Sequence, residues 1–229
     1  MTDHTTLLRC IPLFADLPSS DIAEIAALVQ TKHCKPKQTI VRQGDPGGDL
    51  FVIVAGHLKV VASDVDGRDA GLNIMGPGEV FGEVSLMDGA ERSATIIALE
   101  PSELLLIQQQ PFLDFLEAHP KTAIKLLAVL SGRLRALTER AEDIAFLRVS
   151  ARLAKRVVQL ADRYGKQEDS GSVRVVFKLS QQEIGDLIGA TRESANKHIR
   201  RWEAQDLVSQ ESGHLVIHRM DILRELGDG

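Results

Sequence analysis

A chain of 229 residues, 44% hydrophobic and 4% aromatic, is expected to hold one large domain or two small ones with aliphatic cores. It has two cysteines, no run of about 18 apolar residues and no apolar signal region behind Asp3 and His4. A membrane span, a secretory leader, a disulfide framework and a four-thiolate iron–sulfur cluster are therefore not expected, and a cytoplasmic protein is. The net charge of −5 hides a gradient: residues 1–110 carry −7, residues 111–147 carry 0 and residues 148–229 carry +2. A polyanion can be met only by the C-terminal part, through local clustering.

Leu17-Pro18-Ser19-Ser20-Asp21 reads as a helix start, with Ser19 or Ser20 as cap and Glu24 in the first turn. Ile22, Ile25, Ala26 and Val29 recur at helical spacing, and Lys35-Pro36-Lys37 ends the pattern. From Gln38 the period changes. Ile40-Val41, Leu50 to Val54, Leu58 to Val61, Thr95 to Ala98 and Glu103 to Ile107 read as short strands. Turns fall at Gly44 to Gly48, Gly76-Pro77-Gly78 and Asp66-Gly67, the last a hairpin signal because both residues tolerate positive φ. Many short strands at regular spacing suggest a compact β-barrel or roll.

Within this run lies Phe81-Gly82-Glu83-Val84-Ser85-Leu86-Met87-Asp88-Gly89-Ala90-Glu91-Arg92-Ser93-Ala94. It reads as a tight turn, one carboxylate, a short loop, then an arginine beside a hydroxyl. Gly82 lets backbone approach a ligand, and exposed N–H groups in a turn make an anion-binding concavity. Arg92 can grip a phosphate with its two-pronged fork, and Ser93 can add a donor. Ionised Glu83 only accepts hydrogen bonds, which suits a sugar hydroxyl. Acceptor and clamp nine residues apart fit a ribose phosphate. The stretch resembles the phosphate-binding cassette of cyclic-nucleotide-binding domains. That resemblance implies that Glu83 takes the ribose 2′-hydroxyl and that Arg92 and Ser93 take the cyclic phosphate, with Gly82, Val84 and Ser85 beside them. Gln43-Gly44-Asp45, Phe51-Val52-Ile53 and Gly56 resemble the β-roll of the same domains.

Pro111 opens a short helix through Leu116, and Pro120 allows a long one. In the long one Leu127, Leu130, Leu134, Leu137, Ala141 and Ile144 are spaced 3, 4, 3, 4, 3, a coiled-coil seam of about two and a half heptads. A seam beside a complete β domain calls for a partner, and a parallel copy of the chain is the simplest. Ala145-Phe146-Leu147 is shared with the CRP/FNR superfamily. Counting back from it, the resemblance puts the two base-contacting polar positions at Leu137 and Thr138. Thr138 fits, whereas leucine cannot hydrogen-bond an amine, so the base stays open. The resemblance also pairs Arg133 with Glu83.

Leu147 to Ser150 reads as a hinge. Ser150 can cap a helix carrying Leu153, Val157, Leu160 and Ala161, which ends near Tyr164-Gly165. Lys166 to Ser172 is a polar loop and Val173 to Phe177 a strand. Ser180 and Glu183 then make a capping box, Gly189 ends that helix, and Thr191 and Ser194 favour a fresh start. Two short helices joined by a glycine turn are a helix-turn-helix. The second carries Arg192, Glu193, Lys197, Arg200 and Arg201, with Ala195, Ile199 and Trp202 as the docking face. Leu207-Val208-Ser209 and Leu215-Val216-Ile217, joined through Ser212-Gly213, read as a wing. Ser180-Gln181-Gln182-Glu183-Ile184-Gly185 with Thr191-Arg192-Glu193-Ser194 resembles the CRP/FNR regulator signature. By that resemblance Arg192, Glu193 and Lys197 read base edges, Ser180, Gln181 and Arg200 touch the DNA backbone, and Thr191 and Asn196 share the face.

The combined expectation is an α+β chain. A cyclic-nucleotide-binding β-roll spans 1–119, a dimerisation helix 120–147 and a winged helix-turn-helix 148–229. The resemblance implies a dimeric, ligand-responsive transcription regulator that binds a double-stranded operator and contacts RNA polymerase, with no metal and no membrane. Cyclic AMP is the expected effector, with cyclic GMP, cyclic di-GMP or no nucleotide as alternatives. A haem or redox use of the same fold would call on His57 or Cys34. A kinase regulatory subunit would need no recognition helix. No nucleophile–base pair or metal-ligand spacing points to an enzyme.

Overall fold

The computed structural model describes residues 4–64 and 69–228. Two compact units make up the chain: Met1–Ser63 with Ile74–Ala136, and Asp64–Asn73 with Leu137–Gly229.

The first unit opens with helices α1 (His4–Arg9) and α2 (Ser19–Ala27). Strands β1 (Val29–Cys34), β2 (Thr39–Val41), β3 (Leu50–Ala55), β4 (Leu58–Ser63), the end of β5 (Asp69–Met75, of which Ile74 and Met75 fall in this unit) and β6 (Val80–Phe81) follow. Helix α3 (Glu83–Asp88), strands β7 (Thr95–Ala98) and β8 (Ser102–Ile107), helix α4 (Gln109–Ala118) and the start of α5 (Pro120–Phe146) complete it. The strands form two four-stranded sheets, β1-β8-β3-β6 and β2-β7-β4-β5, which together make a β-roll. Strand β3 explains its own uniformly apolar sequence. Phe51 and Ile53 enter a core between the sheets with Cys34, Leu58, Met75, Phe81, Ile96 and Leu104. Leu50 and Val52 enter a second core with Phe14, Ile22, Ile25, Leu105, Phe112 and Leu126. Successive side chains of a strand face opposite ways, so a strand covered on both sides reads as an unbroken apolar run.

The first helix is shorter than its periodicity predicts. Helix α2 buries Ile22 and Ile25 as expected, but the Leu28 N–H closes it on Ile25 O at 3.0 Å. Val29–Cys34 is instead β1, paired antiparallel with β8 from Val29↔Ile107 to Cys34↔Ser102. Val29 has helical spacing, but the apolar ladder of β8 offers its backbone a partner, and tertiary pairing outweighs local pattern. The stretch Glu83–Asp88, read as loop, is a short helix bounded by Gly82 and Gly89, both with positive φ. The Asp66-Gly67 turn lies outside the described residues. Both cysteines are free, with Cys34 buried and its thiol pushed up by that burial.

The second unit takes the rest of α5, then α6 (Val149–Tyr164), β9 (Gly165–Gln167), β10 (Val173–Lys178), α7 (Gln181–Leu187), α8 (Arg192–Glu203), β11 (Val208–Glu211), β12 (His214–Ile217) and α9 (Met220–Gly227). Its sheet runs β11-β12-β10-β9. Helix α6 starts one residue before the expected cap, with Arg148 at the N-cap and no side-chain bond there. Part of the expected polar loop is strand β9, paired with β10 from Gln167↔Val173 to Gly165↔Val175. Helix α9 closes the core through the fully buried Leu223. Lys155 reaches back from α6 to Glu139 (2.7 Å) and Asp143 (2.8 Å) on α5, tying the two helices across the hinge. The division of α5 falls between Ala136 and Leu137, whereas the sequence expectation treats the whole helix as a separate element.

Candidate functional site

The cassette is built around a glycine. Gly82 has φ +87°, and a Cβ there would stand 2.5 Å from Asp49 O and 2.7 Å from Arg92 Nη1. Both the conformation and the space demand glycine. The next residue, Glu83, is 0% exposed. Arg133 of α5 donates through Nη1 to Glu83 Oε1 and through Nη2 to Val80 O. Glu83 Oε2 is buried and has no hydrogen-bond partner among the described residues. An unpaired buried acceptor costs about 1–3 kcal/mol, so this atom marks where a donor is wanted.

Arg92 is 8% exposed. Its Nη1 donates to Asp49 O at 3.0 Å, to Gly82 O at 3.3 Å and to Ser85 Oγ at 2.9 Å. Ser85, itself buried, donates in turn to Gly82 O at 3.3 Å. Its hydroxyl is thus committed to shaping the cassette. The guanidinium lies 5.8 Å from the Phe51 ring centroid, and that ring stacks on Phe81 at 4.8 Å. Burial pushes Arg92 below the usual guanidinium range, while Asp49, Glu83 and Asp45 hold it up. No carboxylate among the described residues comes within ion-pair distance of it. Nε and Nη2 make no hydrogen bond among the described residues, which leaves donors for an anion. Ser93 and Val84 are exposed at the cassette's edge.

On α5, Leu137 and Thr138 are both exposed in the single chain. The same helix shows an apolar stripe. Leu134 is 67% exposed, and Leu127, Leu137, Ile144, Phe146 and also Ile124 are exposed with it. Ala141 is exposed and Leu130 half-buried. Ile124 is exposed beside the seam but one residue off its 3-4 register, whose preceding position is Ala123, packed on the core of the first unit. His57 is occupied by Glu100, with Nδ1 2.6 Å from Oε1, and Cys34 is packed between the sheets. No group of three or more His, Cys, Asp or Glu among the described residues is placed to hold a metal ion. No helix among them is long and apolar enough to cross a membrane.

In the second unit the capping box is present. Ser180 Oγ accepts from Glu183 N at 3.2 Å, and Glu183 Oε2 accepts from Ser180 N at 2.9 Å. Helix α7 then turns through Gly189, at φ +61°. Gly185 lets the turn close, because a Cβ there would stand 2.9 Å from Ala190 O. Thr191 Oγ1 caps α8 by accepting from Ser194 N at 3.2 Å. Ala195, Ile199 and Trp202 are buried as the docking face. Thr191, Arg192, Glu193, Lys197, Arg200 and Arg201 are exposed along the other side, and Ser180 is exposed at the start of α7. Gln181 and Asn196 are half-buried, and Asn196 Oδ1 has no partner among the described residues. The cationic field of the helix is felt by His198. Burial holds its imidazole below the usual range, and Lys197 and Arg201 add to the effect. The β11–β12 wing turns on Ser212 and Gly213, both at positive φ.

Comparison with known proteins agrees with both halves. Residues 31–119 match the cyclic nucleotide-binding domain family, and residues 151–226 match the Crp-like helix-turn-helix domain. A CRP-like cAMP-activated global transcriptional regulator of Mycobacterium tuberculosis (strain ATCC 25618 / H37Rv) is 31% identical over 205 residues, covering 90% of this chain and 91% of that protein. The solved structure of FixK2 from Bradyrhizobium japonicum superposes with a TM-score of 0.75 at 19% identity, covering 86% of this chain and 96% of that one. The c-di-GMP responsive regulator CLP of Xanthomonas campestris superposes with a TM-score of 0.73 at 23% identity, covering 88% and 99%. The chain belongs to the CRP/FNR family, whose transcription regulators bind DNA and function as dimers.

Proposed function

We propose that the β-roll binds a cyclic mononucleotide, cyclic AMP first, and that the chain acts as a homodimer on a pseudo-palindromic operator. The observation that carries this is Glu83 Oε2, a buried acceptor without a partner among the described residues, in the same cassette as Arg92, a buried cation with no carboxylate of the described residues within ion-pair distance. A ribose hydroxyl would satisfy the first and a cyclic phosphate the second. Ser93 stands beside the phosphate position, with Val84 and Ser85 completing the cassette. The related M. tuberculosis regulator is named as cAMP-activated, which supports adenine. Leu137 favours a broader choice, because an apolar side chain at that position leaves Thr138 as the polar group for the base. Cyclic GMP therefore belongs in the first titration.

The seam from Leu127 to Ile144 would be covered by a second copy of α5, since an exposed apolar stripe of this length leaves apolar area in water until it is paired. Two copies of α8 would then meet half-sites about one helical turn, roughly 34 Å, apart. Arg192, Glu193 and Lys197 would read base edges, with Ser180, Gln181, Thr191, Asn196 and Arg200 positioning the helix. RNA polymerase would be the further partner. Ligand would act through Arg133, which already joins Glu83 to α5. The test is calorimetric titration with cyclic AMP and cyclic GMP, followed by operator binding with and without saturating ligand. Arg92→Leu should weaken the cyclic nucleotide at least about tenfold, since about 1.4 kcal/mol is a decade. Unchanged affinity in that variant removes the site, and equal operator affinity with and without bound ligand removes the coupling.

A further inference from the structure

Arg92 is set among acids. The loop from Gly44 to Asp49 clasps its backbone, with Arg92 N donating to Asp45 O at 2.9 Å and Gly44 N donating to Arg92 O at 2.9 Å. The guanidinium itself reaches Asp49 O at 3.0 Å. Asp45 and Asp49 therefore flank the arginine on one loop. Glu91 precedes it in sequence, with Oε2 3.9 Å from where a Cβ on Gly44 would stand. Asp88 ends α3 and accepts from Ala90 N at 2.9 Å. None of these four carboxylates has a cation within ion-pair distance among the described residues. Glu83 differs, because Arg133 neutralises it. Of the side-chain charges acting on Arg92, Asp49 is the largest, with Glu83 and Asp45 behind it. A phosphate seated here meets Arg92 inside a rim of carboxylates, four of which have no cation within ion-pair distance among the described residues.

Nucleotide ligands differ in the charge they bring. A cyclic 3′,5′-phosphodiester carries a single negative charge at neutral pH. A 5′-monophosphate carries close to two, because its second proton leaves near pH 6. A cyclic dinucleotide carries one on each of two separate phosphates. One arginine compensates one charge, and any second charge is placed against carboxylates of which Asp45, Asp88 and Glu91 are exposed and Asp49 half-buried, a repulsion that salt screens. A second cation near the Phe51 ring, among the described residues, is Lys32, with Nζ 5.5 Å from its centroid. It is the candidate to seat a second phosphate, and so it needs its own control.

Resting on the reading that Arg92 seats the ligand's phosphate, we propose that the carboxylates of Asp45 and Asp49 make this site selective for singly charged cyclic mononucleotides over nucleoside 5′-phosphates and cyclic dinucleotides. The pocket would discriminate by repulsion as well as by fit.

The experiment is calorimetric titration of the full chain with cyclic AMP, 5′-AMP and cyclic di-GMP at about 50 mM and about 500 mM salt. Wild type is compared with Asp45→Asn, Asp49→Asn, their double variant, Lys32→Ala and Arg92→Leu. Wild type should favour cyclic AMP over the other two by at least about a hundredfold at low salt, and the margin should shrink at high salt. The double variant should gain about tenfold for 5′-AMP and no more than about threefold for cyclic AMP. An unchanged ratio in the double variant overturns the proposal. So does cyclic di-GMP binding within about threefold of cyclic AMP, and a loss of that binding in Lys32→Ala would identify the cause. The salt series uses wild type alone, so a margin that does not move with salt also counts against it. If wild type binds no cyclic nucleotide, or Arg92→Leu binds it unchanged, the underlying site has failed, and that outcome is distinct from a rim without effect.

Discussion

The cassette and the recognition helix handle charge in opposite ways. In the cassette Glu83 and Arg92 are buried, held by Arg133, Asp49 O and Ser85, and one geometry is imposed on both. On α8 the charges of Arg192, Glu193, Lys197, Arg200 and Arg201 stand in solvent. The difference follows from the ligand each would take. A small molecule offers few atoms, so each contact must be preorganised and dry to be worth much. A duplex offers a long row of phosphates, so exposed cations gain by releasing counter-ions and need no burial. The helix is correspondingly buried where it docks, through Ala195, Ile199 and Trp202, and exposed where it would read.

Disturbing the cassette should produce the largest effect. Gly82→Ala puts a Cβ against Asp49 O and Arg92 Nη1 in a backbone that alanine rarely adopts. It should lower stability by about 1–3 kcal/mol and cyclic-nucleotide affinity by at least about tenfold, read by thermal melting and calorimetry. If both stay at wild-type values, the cassette is softer than its geometry implies. Arg192→Ala should behave in the opposite manner. Its stability should stay within about 0.5 kcal/mol, while operator binding loses about 1–3 kcal/mol and discrimination relaxes at one base pair. A competition assay over single-base operator variants checks this.

Arg200→Ala should be milder and non-selective. It should weaken all sequences alike and reduce the slope of log affinity against log salt by about one. A base-specific loss would move Arg200 from the backbone contacts to the readers. The smallest effect concerns His198, whose folded-state protonation is disfavoured by burial and by Lys197 and Arg201. The unfolded chain takes up that proton more readily. The contribution to stability is therefore whole above about pH 6.5 and is lost as pH falls below it. DNA phosphates would offset Lys197 and Arg201, so operator binding should take up a proton. It should tighten by up to about threefold between about pH 7.5 and about pH 6, and His198→Gln should abolish the trend. Anisotropy titrations at the two pH values read it directly.

The two regions were also unequally legible in the sequence. The turn chemistry of the helix-turn-helix is local. Ser180 with Glu183, the Gly189 turn and the Thr191 cap each act within three or four residues, so the sequence shows them. The cassette's residue types were visible too, but its partners were not. Arg92 is fixed by Asp49 O, 43 residues away, and Arg133 meets Glu83 across 50. Helix α3 was hidden because six residues between two glycines carry too little periodicity to register. Strand β1 was hidden for the reverse reason. Val29 continued a helical pattern that only pairing with β8 could overrule. Helices α1 and α9 went unread as short terminal segments whose burial depends on the rest of the fold.

One feature of α5 reaches beyond binding. The stripe from Leu127 to Ile144 is exposed in the single chain, Leu134 by 67%. For a chain whose stripe is covered only by a second copy, stability is a function of protein amount, because association draws on the folded state by mass action. The melting temperature of such a protein rises with its concentration. In a cell that makes few copies, the same sequence would spend more time as single chains that present this stripe to proteases and to other exposed helices. Gene dosage would then tune the protein's lifetime as well as the occupancy of its operators.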